Sequence, residues 1–92
     1  MATQKTISHI DFNKILDGLS NTYKEIDVRE LEMPLPMITI VKELENITKI
    51  NALLVHHHRI PQILLNDLKD SNLKIYITQI QENYFQLLFL NS

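Results

Sequence analysis

"IDVRELEMPLPMITIVKEL", Ile26 to Leu44, is the stretch that decides the fold. Ile26 and Val28 alternate with Glu25, Asp27 and Arg29. That period of two predicts a half-buried strand. Pro34 and Pro36 follow. A proline ring lacks the N–H that a helix interior needs, and only the first turn tolerates that loss. A helix should therefore begin at the prolines. Met37, Ile40, Val41, Leu44 and Ile47 then recur at i, i+3, i+4, i+7 and i+10, with Ile38 widening the stripe. This pattern predicts an amphipathic helix lying on the strand.

Toward the C-terminus the same unit recurs. "NALLVHHH", Asn51 to His58, is a short apolar run around Val55 and reads as a central strand buried on both faces. Pro61 restarts a helix whose inner face is Ile60, Ile63, Leu64 and Leu68, and Asp70, Ser71 and Asn72 end it. Leu73, Ile75 and Ile77 then alternate with Lys74, Tyr76 and Thr78. After the polar turn Gln81–Glu82–Asn83, Phe85, Leu87 and Phe89 share one face. Two such strands around a polar turn predict an antiparallel hairpin.

Toward the N-terminus, residues 1–8 are polar and expected to fray. Phe12, Ile15, Leu16 and Leu19 mark one face of a further helix, with Asp11 as its expected N-cap and Gly18, Ser20 and Asn21 at its end. The expected order is an extra helix followed by β-α-β-α-β-β. Parallel strands joined by crossover helices give an α+β two-layer sandwich. Residues 1–22 form the tail and helix, and residues 23–92 the domain proper.

Composition narrows the chemistry. The chain has 92 residues, enough for one small domain. It has no cysteine, which removes disulfides, thiolate metal sites and thiol nucleophiles. The net charge of -2 and the lack of a basic face with interleaved aromatics argue against nucleic acid. No apolar run reaches the roughly 18–20 residues of a membrane span. The N-terminus lacks the apolar region of a secretory signal, so the protein is read as cytoplasmic.

"DVRELEMPLP", with the element order around it, resembles the SirA/TusA-like family, whose signature reads LD-x-R-G-L-x-C-P-x-P. Asp27, Arg29, Leu31, Pro34 and Pro36 fit that signature, Glu30 stands in place of the glycine, and Met33 stands in place of the cysteine. The resemblance covers roughly residues 23–91. It implies a mixed four-stranded sheet of order 1-2-4-3 under two helices. In sulfur-relay members the cysteine carries a persulfide, a chemistry closed to a thioether. "HHHRIPQILLNDL" is similar to a cysteine-less, uncharacterised branch of that family.

In such a fold the carboxyl ends of the first two strands share one edge, where ligands of α/β sheets gather. That edge would bring together Arg29, Glu32, Met33, His56, His58 and Arg59. His56 and His58, two apart on a strand, face the same side and could chelate a divalent metal, with Glu30 or Glu32 as third ligand. His57 would face away. Arg29 and Arg59 suit an anion. Against these stand plainer roles: a polar loop for the histidines, loop-fixing for Arg29, gap-filling for Met33. Tyr76, Tyr84, Leu88 and Leu90 face the sheet's other side, which a two-layer fold leaves open to the N-terminal helix, a partner or a homodimer mate. The leading expectation is a non-enzymatic binding or regulatory module taking a small anion, a metal or a protein at the His/Arg edge. A metal-dependent or His-based enzyme or carrier at the same edge is the alternative, and an RNA-binding accessory protein the next. No catalytic residue can be named.

Overall fold

The computed structural model describes residues 2–91. The elements run β1 (Thr3–Thr6), α1 (His9–Gly18), β2 (Lys24–Asp27), α2 (Leu35–Leu44), α3 (Ile47–Ile50), β3 (Ala52–His57), α4 (Gln62–Asp67), β4 (Leu73–Gln81) and β5 (Tyr84–Asn91). The strands form one mixed sheet of order β1-β4-β5-β3-β2. β2 lies parallel to β3, and β5 is antiparallel to both β3 and β4.

The expected four-stranded sheet is corrected to five. Residues 3–6 do not fray; they pair parallel with β4, Thr3 opposite Lys74 through Thr6 opposite Ile77. All four are exposed, so no buried stripe marked them as a strand. Their stabilisation comes from backbone hydrogen bonds at the sheet edge, and side-chain periodicity cannot register those. Leaving β1 aside, the remaining strands stand in the order β2-β3-β5-β4.

The layer count also changes. One face of the sheet buries Val28, Ile40, Leu53, Val55, Leu64, Ile75, Ile77, Leu87 and Phe89 under α2, α3 and α4. The other buries Phe12, Ala52, Leu54 and Leu88, with Ile15, Leu16, Leu19, Tyr76 and Leu90 packed around them. Of the occupants expected on that face, α1 is the one found there, and the apolar surface a homodimer would have used is covered by this chain's own helix. Phe12 has no exposed surface, and its burial alone is worth about 1.5–3 kcal/mol.

Helix boundaries follow the capping groups. Ser8 caps α1, its hydroxyl oxygen accepting the Asp11 N–H at 3.1 Å, so Asp11 lies in the first turn instead of at the cap. Pro34 precedes α2, Pro36 falls in its first turn, and Pro61 precedes α4. α2 stops at Leu44, and Ile47 opens the separate turn α3. The apolar stripe of α2 is wider than the surface it covers: Ile40 is buried, whereas Ile38 and Val41 are exposed. In α4, Leu64 and Leu65 point inward and Ile63 is 69% exposed, so Ile63 leaves the inner face assigned to it.

Candidate functional site

Strand parity divides the expected edge cluster between the two faces of the sheet. His56 falls on the α1 face with Leu54, and His57 falls on the α2/α4 face with Val55. The result is two distinct polar places, and they differ in whether their hydrogen-bonding capacity is already used.

On the α1 face, His56 sits between Glu25 of β2 and Tyr84 of β5. Its Nε2 lies 2.5 Å from Glu25 Oε2, and its Nδ1 lies 2.8 Å from the Tyr84 hydroxyl. A carboxylate can only accept, so the neutral ring donates through Nε2 and accepts the tyrosine O–H at Nδ1. The Gln86 amide lies 3.4 Å from both Nδ1 and the tyrosine oxygen. Arg29 stacks on the Tyr84 ring at 4.3 Å and grips Asp27 through two nitrogens, with a shortest contact of 2.7 Å. Those side-chain hydrogen bonds from Arg29 hold the Asp27 carboxyl down to about 2, against a smaller opposing effect of desolvation. Both ring nitrogens of His56 and the guanidinium of Arg29 are thus occupied by protein groups.

On the opposite face, the first turns of α2 and α4 stand apart. A cleft of about 230 Å³ opens between them, lined by Met33 and Met37 on one wall and Ile60, Pro61, Ile63 and Leu64 on the other. His57, Arg59 and Gln62 also line it. His57 is only 1% exposed. Its Nδ1 accepts the Arg59 backbone N–H at 3.2 Å, which places the ring proton on Nε2. Burial is the main force lowering its pKa to about 4, with the neighbouring charges of His58 and Arg59 acting the same way. The His58 ring packs tilted against His57 at 4.9 Å between centroids, and its own buried Nδ1 has no hydrogen-bond partner among the described residues.

The structure thus brings Met33 and Arg59 together at the cleft and places Arg29 and His56 in the Tyr84 network across the sheet. Glu32 lies exposed in the intervening loop, where its carbonyl accepts the Leu35 N–H. His56 and His58 do not converge on a common partner, and among the described residues no group of three or more His, Asp or Glu side chains is placed to hold a metal ion.

Sequence reasoning missed Glu25, Tyr84 and Gln86 in one place, and His57 and Met37 in the other. For His57 the available signal was strand alternation, which set it on the opposite face from His56 without assigning it a role there. Glu25 and Tyr84 carried no such signal without the register that sets Asp27 opposite His56 and Gln86 opposite His56.

No protein-family model, no curated protein and no solved structure matches this chain. No described helix is long and apolar enough to cross a membrane.

Proposed function

We propose that the protein is a small non-enzymatic binding module, and that its ligand site is the cleft between the first turns of α2 and α4. The observation that carries this reading is the cleft itself. It is walled mainly by apolar side chains at the starts of two helices and includes a few polar groups, which is the common composition of small-molecule sites. Its volume lies below the ~300–1,000 Å³ typical of drug-sized pockets, so the ligand is fragment-sized. The order β2-α2-β3-α4-β4-β5 and the Pro-x-Pro entry to α2 support a SirA/TusA-like reading of residues 23–91. Met33 at the cleft wall gives that reading a binding role without sulfur transfer.

The test is a fragment titration followed by backbone amide NMR. Small monocyclic compounds should move the resonances of Met33, Met37, Ile60, Gln62, Ile63 and Leu64 in a saturable way. If no compound perturbs that group of residues, the cleft is not the site.

A His-based enzyme at the Glu25–His56–Tyr84 chain is the second reading, favoured by the resemblance of carboxylate, imidazole and phenol in series to a proton relay. That both imidazole nitrogens are bound to protein groups supports a structural role for the chain instead.

A further inference from the structure

Besides the Gln62 amide, the cleft is lined by two side chains that present only N–H donors to it and whose capacity the described residues leave unused. The first is His57. Its Nδ1 is committed as an acceptor, so Nε2–H is a donor, and it bonds to no described residue. The second is the Arg59 guanidinium. Arg29 and Lys24 are both paired with carboxylates, whereas Arg59 forms no ion pair with any described residue. Both groups line the same apolar cleft.

Together they define a ligand chemistry. An imidazole N–H with no protein acceptor is a ready donor to a bound ligand. A planar guanidinium presents paired donors in the geometry that a carboxylate accepts. Methionine, isoleucine and leucine walls cannot satisfy a second polar group. We infer that the cleft takes a small carboxylic acid, its apolar body between Met33, Met37, Ile60 and Ile63 and its carboxylate toward His57 Nε2–H and the Arg59 guanidinium. This inference rests on the cleft being the ligand site and adds the class of ligand.

A cation is disfavoured, because the Arg59 guanidinium already places positive charge at the cleft. A neutral apolar molecule would fill the walls and leave both donors unanswered. The cleft therefore selects for a molecule that joins an apolar body to an anionic group.

Three probes of one shape separate these cases: benzoate, benzyl alcohol and benzylamine, each titrated into the full chain and followed at the amides of Met33, Leu35, Met37, Ile60, Gln62, Ile63 and Leu64. The inference expects saturable shifts with benzoate, at least tenfold weaker binding of benzyl alcohol, and none of benzylamine. Arg59→Gln, a change at an exposed side chain, should bring benzoate down to the level of benzyl alcohol and leave benzyl alcohol unchanged. Equal affinities for benzoate and benzyl alcohol at these residues would overturn the acid specificity while upholding the cleft as a site. Indifference of benzoate binding to Arg59→Gln would overturn it in the same way. Failure of all three probes to shift these amides would overturn both.

Discussion

The backbone N–H of Arg59 donates to Nδ1 of His57 at 3.2 Å, so the turn leaving β3 fixes the tautomer of a ring that is almost wholly buried. Burial, assisted by the charges of His58 and Arg59, pushes that ring's pKa from 6.5 down to about 4. Protonating it would also destroy the acceptor that the Arg59 N–H uses.

Acid should therefore destabilise the fold over a defined window. Between pH 6.5 and pH 4 the unfolded chain binds a proton at His57 that the folded chain refuses. Stability consequently rises with pH across this window and falls as pH drops. Urea denaturation at pH 7.5 and pH 4.5 should differ by about 2–3 kcal/mol from this group. His57→Leu should remove most of that difference. An unchanged difference in the variant would show that His57 is not the group responsible.

Tyr84→Phe removes the hydroxyl that His56 Nδ1 accepts and leaves the Gln86 amide, 3.4 Å away, as the remaining neighbour. The loss should be about 0.5–1.5 kcal/mol by denaturation, the net worth of one hydrogen bond. The cleft lies across the sheet, so benzoate affinity should not change. A variant with native stability would mean that the network contributes nothing to the fold.

Phe12 is the one fully buried side chain of α1, with Ile15 and Leu16 packed around it. Phe12→Ala should cost about 3–5 kcal/mol, because Phe12 fills the centre of the second core. Ile10 is 69% exposed on the same helix, and Ile10→Ala should stay within about 0.5 kcal/mol. Equal effects of the two substitutions would contradict the placement of α1.

Met33 is half exposed on the cleft wall. Met33→Leu keeps its volume and apolarity, so it should cost less than about 1.5 kcal/mol. Benzoate affinity should stay within a factor of a few. A collapse of binding at unchanged stability would assign the thioether a specific contact.

What was legible in the sequence was whatever periodicity and proline could express. Pro34, Pro36 and Pro61 marked the two helix starts, and the alternation from Leu73 to Phe89 marked the hairpin. β1 escaped because it buries no side chain. The wide stripe of α2 overstated its contact surface, since Ile38 and Val41 share the helix but not the core. The candidate site was legible as an edge and not as a geometry. Pairing His56 with His58 was a sound reading of strand parity, but β3 ends at His57, and beyond that residue the parity no longer applies.

The central claim is that a small acid occupies the cleft between α2 and α4. It is tested most directly by intermolecular nuclear Overhauser effects from bound benzoate to the ¹³C-labelled methyl groups of Met33 and Met37, which form one wall. The account predicts cross-peaks from the aromatic protons to both methyls, lost in Arg59→Gln. Saturating benzoate that gives no cross-peak to either methionine would contradict it.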